Sequence, residues 1–202
     1  MTIPNNNNAA VRFTTAKTDA DLAGILALQC ANRPEALTAE ERHSQGFVSA
    51  RHDVDLLRDM NEPVAHTIAL DDDNNDLVVG YALTLQCTFD VHRIPYLTGL
   101  RKEIESATYK NMAVAKLNYV LSGQVCVAKS HRGQGVFAGL YDHMCRRMAG
   151  RHDCIITAVS TQNPRSLRAH AKVGFERIHQ FTDHGHDWDI LLMEIPKVAE
   201  AK

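Results

Sequence analysis

The sequence predicts a mixed α/β fold, with a central sheet of about seven strands covered by helices on both faces. Two patterns and one junction carry that expectation. Short runs rich in β-branched and apolar residues recur along the chain, and stretches with apolar residues at helical spacing lie between them. One glycine-rich turn, within "SHRGQGVFAGLYDHM" (130–144), joins a long strand directly to an amphipathic helix.

Each element follows in order. The asparagine run Asn5 to Asn8 cannot bury apolar surface, so residues 1–10 read as a disordered lead and folding begins near Val11. "VRF" (11–13) is a short strand. In the next segment (18–32), Leu22, Ile25, Leu26 and Leu28 share one helical face, and Thr18 or Asp19 caps it. Thr38 stands three residues before Glu41, the spacing of a capping box, and Gly46 ends the short helix that follows. Another short helix covers Val54 to Met60 before Pro63 stops it.

The runs 64–70 and 76–89 form a hairpin around the acidic, asparagine-rich turn "DDDNN". Residues 90–116 are irregular, with a helix around Leu100 to Glu105, and read as an insertion. Strands at 117–128 and 154–160 follow, then a final pair, "GFERIHQF" and "WDILLMEI", around "TDHGHD". Helices at 136–149 and 164–173 separate them. One domain over 11–196 and a tail at 197–202 complete the division.

At 202 residues, 45% of them hydrophobic, the chain can bury one substantial core. A net charge of −2 gives no general attraction to nucleic acid or anionic membrane. The polar start carries no secretory signal and no run reaches the length of a membrane span, so the chain reads as cytoplasmic. Five scattered cysteines without CxxC spacing indicate neither a disulfide framework nor a zinc site. His184 and His186 within "DHGHD" read as a solvated turn rather than metal ligands. The final hairpin offers an edge for pairing in a homodimer.

The glycine turn carries the chemistry. A helix N-terminus aimed out of a sheet presents unpaired N–H groups, and glycines let an anion reach that backbone. Arg132 adds positive charge, so a phosphate or pyrophosphate is the expected ligand. No Lys-Ser/Thr follows the last glycine, and GxGxxG spacing is absent, which disfavours nucleoside triphosphates and dinucleotides.

Arg132-Gly133-Gln134-Gly135-Val136-Phe137 resembles motif A (Q/R-x-x-G-x-G/A) of the GCN5-related N-acetyltransferases, with Phe137 in place of the final small residue. "NPRSLRAHAKVGF" (163–175) is similar to the family's motif B through Asn163, Ser166, His170 and Gly174-Phe175. The resemblance implies a single domain with a mostly antiparallel sheet. It also implies acetyl-coenzyme A as acyl donor, no metal, and a small-molecule or peptide amine as acceptor. The loop 132–137 would hold the pyrophosphate, joined by Asn163, Ser166 and His170. Val125, Cys126 and Val127 would border an opened strand edge, where a backbone N–H polarises the acetyl carbonyl.

Cys126 on a buried strand reads as structural rather than as a nucleophile. By the resemblance, His170 stands where relatives often place a tyrosine that protonates the leaving thiolate, and imidazole can give a proton near neutral pH. Gln124 cannot serve as a base, which leaves a water relay or a group elsewhere. His92, Arg93 and Tyr96 in the insertion are the candidate acceptor-binding residues. A non-catalytic module that binds an acyl-coenzyme A is the competing class.

Overall fold

A single central sheet orders seven strands that the chain visits out of sequence. The computed structural model describes residues 10–90 and 94–197. Its strands are β1 (Val11–Thr15), β2 (Thr67–Asp71), β3 (Leu77–Gln86), β6 (Tyr119–Val127), β7 (Cys154–Ser160), β8 (Glu176–Asp183) and β9 (His186–Glu194), with β4 (Thr108–Tyr109) and β5 (Met112–Ala113) forming a separate small hairpin. The order across the sheet is β1-β2-β3-β6-β7-β9-β8. Every pairing in it is antiparallel except β6 with β7, which α5 (Val136–Met148) connects as a crossover. A parallel pair needs such a connection, whereas the hairpins do not.

Side-chain alternation divides the core in two. On one face Ile68, Tyr81, Leu83, Leu121 and Ile156 meet α1 (Asp19–Ala31), α3 (Val54–Met60) and α4 (Pro95–Ser106) through Ile25, Leu57 and Ile104. On the other, Val79, Ala82, Val120 and Ile155 meet Leu140, Tyr141 and Met144 of α5. Strand β3 is consequently buried from Val78 to Leu85 without a break, as expected of a strand covered on both faces.

The helices start where their caps direct. The Thr18 hydroxyl accepts a bond from Asp21 N–H while the Asp21 carboxylate accepts one from Thr18 N–H, and Thr38 and Glu41 repeat the arrangement at α2 (Ala39–Gln45). Such reciprocal pairs satisfy backbone donors that a helix start leaves over. Asp53 caps α3. The insertion is more ordered than the sequence suggests, since α4 runs from Pro95 to Ser106 and the β4–β5 hairpin follows it.

Strand β6 does not run straight. Leu83 faces Gln124 but Thr84 faces Ser122, so Gly123 is an extra residue on β6. A bulge bends its strand and increases its twist. Here it coincides with the end of the β6–β7 ladder, which pairs only Tyr119 with Cys154, Val120 with Ile155 and Leu121 with Ile156. Thr157 Oγ1 donates to Ser122 O at 2.9 Å, and beyond that point the two strands part. Opposite the bulge, Thr84 N–H donates to His66 Nδ1 (3.1 Å), and the ring's Nε2–H goes to Leu57 O (3.1 Å). This fully buried histidine thus satisfies a backbone donor beside the bulge.

Candidate active site

The parting of β6 from β7 exposes main-chain groups inside the sheet. Ala128 N–H donates to Val79 O. Two-residue alternation therefore turns the N–H of Cys126 toward β3, and those of Val125 and Val127 toward the open side. Of the three residues expected at this edge, Val125 and Val127 are the two whose N–H groups turn away from β3. Cys126 is buried among apolar side chains, and burial pushes its thiol up to about 12. A thiol protonated at neutral pH is no nucleophile.

Beyond β6 the chain makes the glycine turn. Gly133 and Gly135 have φ of 77° and 82°, and a Cβ placed on either would meet no atom within 4 Å. Positive φ explains glycine sterically, while the open space beside both leaves the backbone approachable from outside. Gly135 starts α5 with no side-chain cap. The first amides of the helix are therefore offered to an anion together with the positive end of its dipole. Gln134 Nε2 donates back to Ser130 O at 2.8 Å, fixing the turn.

Arg132 also has partners within the protein. Its guanidinium donates to Val127 O (3.0 Å), Gln45 Oε1 (3.1 Å) and Asn32 Oδ1 (2.6 Å). Those bonds clamp the turn to the ends of α1 and α2, and Arg132 lines the cleft beside the turn. Further cations come from α6 (Pro164–Lys172), where Arg165, like Arg132, is held by Gln45. Arg165, Arg168 and Lys172 line the same cleft of about 630 Å³, together with Gly133, Gly135, Val136 and Phe137. No Asp or Glu lies among the cleft's described lining residues. Burial, then the neighbouring Arg132 and Arg168, lower the pKa of Arg165. Crowded like charges of this sort are relieved by a bound polyanion. Spacings of three and four residues on one helix are a sequence signal for this cationic face, although the motif reading passed over it.

Asn163 caps α6 by accepting from Ser166 N–H at 3.1 Å, and its Nδ2 donates to Phe47 O at 3.3 Å. It thereby holds the segment after α2 across the cleft. His170 lies deeper, 1% exposed. Its Nδ1–H donates to Ser166 O (2.8 Å), so Nε2 accepts from Tyr141 O–H (2.9 Å), whose oxygen also meets Ser122 Oγ (3.1 Å). Burial lowers its pKa to about 4. The expected proton donor is thus a neutral ring whose one N–H is already given to a carbonyl. Phe137, in place of a small residue, packs against Tyr141 and the edge of His170, with ring centroids at 5.2 and 5.1 Å.

Two further groups lay beyond sequence reasoning. Gln29 and Gln124 are buried beneath β6, where Gln29 Nε2 and Tyr81 O–H both donate to Gln124 Oε1 (2.8 and 2.6 Å) and Gln124 Nε2 donates to Ala50 O (3.1 Å). This network holds the strand from behind. A second cleft of about 290 Å³ opens on the α4 side and shares Phe47, Val48, Val125, Asn163 and Ser166 with the first. Of the acceptor residues expected from the insertion, His92 and Arg93 lie outside the described residues, as does the side chain of Tyr96. Leu97 and Leu100 of α4 do line this second cleft. Among the described residues no group of His, Cys, Asp or Glu is arranged to hold a metal ion, and no helix is long and apolar enough to cross a membrane.

The family model described as the acetyltransferase (GNAT) family matches residues 33–175. No curated protein matches the sequence. Among solved structures, the putative acetyltransferase yncA from Salmonella typhimurium with acetyl-CoA is similar at 20% identity and a TM-score of 0.57, over 95% of this chain and 97% of that one. Arabidopsis thaliana NAA60 in complex with a bisubstrate analogue aligns at 12% identity with a TM-score of 0.61, over 94% and 100%. The ribosomal-protein-S18-alanine N-acetyltransferase from Escherichia coli aligns at 12% identity with a TM-score of 0.59, over 95% and 97%. At these identities the likeness is one of fold.

Proposed function

The chain belongs to the acetyltransferase (GNAT) family, and from that premise we propose that it transfers an acetyl group from acetyl-coenzyme A to a primary amine by direct attack in a ternary complex. The observation that carries this reading is the junction of two features. An anion-ready glycine turn with a cationic wall lies immediately beyond a strand edge whose Val125 and Val127 N–H groups point away from β3.

The open backbone at Gly133 and Gly135 and the first amides of α5 suit a pyrophosphate, and Arg165, Arg168 and Lys172 suit the remaining phosphate charge. Acetyl-coenzyme A supplies an activated thioester. Val125 and Val127 direct their N–H groups to the side where its carbonyl oxygen would lie. There they stabilise the negative charge that develops as the amine attacks, a contribution of about 3–4 kcal/mol per donor in comparable sites. Holding donor and acceptor together in the split supplies the proximity that direct transfer requires. His170 acts by position: it fixes Tyr141 and the first turn of α6 behind the coenzyme cleft.

Calorimetric titration with acetyl-coenzyme A tests the reading. We expect binding by the wild type. Arg168→Glu should weaken it at least tenfold through charge alone, and Arg132→Glu should weaken it by releasing the turn. Absence of binding by the folded wild type would overturn the assignment. Binding without turnover of any amine would favour the non-catalytic acyl-coenzyme A module.

A further inference from the structure

The two clefts that meet at Val125 and Ser166 differ in kind. Cations line the first, whereas the second includes Phe47, Leu97, Leu100, Phe181 and Trp188 and contains no Lys or Arg among its described lining residues. Asp183 is the only carboxylate among those residues. Its placement follows from register. Phe181 faces Trp188 and Asp183 faces His186 across the β8–β9 hairpin, so alternation sets Phe181, Asp183, His186 and Trp188 on one face. Trp188 is also the partner of Ser160, the last residue of β7. The patch therefore overlooks the place where β6 and β7 part.

We propose that this second cleft is the acceptor site, and that it takes a primary ammonium carried on a flat apolar group, with Asp183 as the specificity-determining partner of the charge. The inference rests on the acyl-transfer reading above, because a cleft that shares Val125 with the coenzyme cleft serves as an acceptor site only if an acyl group is delivered there.

Three features fix the class of ligand. The walls are mainly aromatic and aliphatic, interrupted by polar groups such as Gln124, Thr157, Ser160 and His170, so the body of the ligand is largely apolar, and Trp188 and Phe181 suit a flat group or an adjacent cation. The volume of about 290 Å³ lies at the small end of ligand pockets, which run from about 300 to 1,000 Å³, and so admits a small amine or one terminal residue of a peptide. The charges sort the two substrates: a polyanionic coenzyme is drawn to the Arg165–Lys172 side and a cation to the Asp183 side. His184 Nδ1 meets one oxygen of Asp183 at 2.9 Å, and a carboxylate retains further acceptor sites for an ammonium. The side chain is 49% exposed, so its charge stays hydrated until a ligand covers it.

Thiol release by the full-length protein tests the inference with 2-phenylethylamine, n-propylamine, phenylalanine and a phenylalanyl dipeptide amide. The expected order places 2-phenylethylamine or the dipeptide amide at least tenfold above n-propylamine in kcat/KM. Phenylalanine, whose carboxylate would face Asp183, falls below both. A faster dipeptide assigns the ammonium to a peptide terminus, and a faster small amine assigns it to a metabolite. Asp183→Asn should raise KM for the better amine tenfold or more with a smaller change in kcat, leave acetyl-coenzyme A affinity unchanged, and recover KM in Asp183→Glu. An unchanged KM in Asp183→Asn, a preference for phenylalanine, or acetyl-coenzyme A binding with no turnover of any of the four overturns the acceptor assignment. Loss of acetyl-coenzyme A binding in the wild type overturns the acyl-transfer reading itself.

Discussion

At the scale of single residues, burial decides what a titratable side chain does. A histidine in the last turn of a short helix is chemically able to give a proton near neutral pH, and nothing local in "SLRAHAK" argues otherwise. The packed molecule sets the ring among Phe137, Tyr141 and Phe175 at the wall of the second cleft and engages both nitrogens, which argues for a positioning role. His170→Phe is expected to lower stability by about 1–3 kcal/mol, because Tyr141 O–H loses its acceptor and Ser166 O a donor. Turnover per folded molecule should change less than tenfold. Urea unfolding and saturating kinetics check both numbers, and a hundredfold loss of kcat at unchanged stability would restore the ring as a proton donor. Arg132 teaches the converse. Its charge is plain in the sequence, but the partners that fix its position, Asn32 and Gln45, are distant along the chain and were not legible there.

At the scale of elements, what is encoded locally was readable and what is assembled was not. The cap at Thr18, the capping box at Thr38, the stop at Gly46, the span of α3 and the helix from Asn163 to Gly174 depend on residues within a few positions of one another. The glycine turn belongs to the same class. Gly135→Ala should cost about 1–2 kcal/mol from the left-handed backbone alone. It should also weaken acetyl-coenzyme A at least tenfold by placing a methyl group where the ligand approaches; calorimetry beside thermal unfolding separates the two effects. By contrast α4 was seen only at Leu100 to Glu105, since Pro95 and Gly99 dilute its pattern although proline is well suited to a first helical turn. The β4–β5 hairpin turns through Lys110 and Asn111, both at positive φ, without the glycine that usually marks such a turn. The acceptor wall of Phe181, Asp183 and Trp188 could not be read either, because it exists only when two strands pair and come to rest beside a third.

At the scale of the whole molecule, several buried rings make the fold sensitive to acid. His52, His66 and His170 would titrate near 6.5 when exposed, and burial lowers each to about 4. The unfolded chain therefore binds these protons first, so their contribution is complete above pH 6.5 and is lost as pH falls toward 4. Each can remove up to about 1.4 kcal/mol per pH unit in that window. The urea midpoint should fall steeply from pH 6.5 to 5 and change little from 7 to 8; equal midpoints at pH 7 and 5 would contradict the assignment. The same architecture has an evolutionary side. The donors proposed for the acetyl oxygen belong to the main chain of β6, so alanine replacements at Val125 or Val127 leave them in place, and proline alone deletes one. A conventional mutational scan would pass over the reacting centre in silence. The side chains that shape the clefts are free to drift toward new amines, while the donor geometry is inherited with the bend of a single strand.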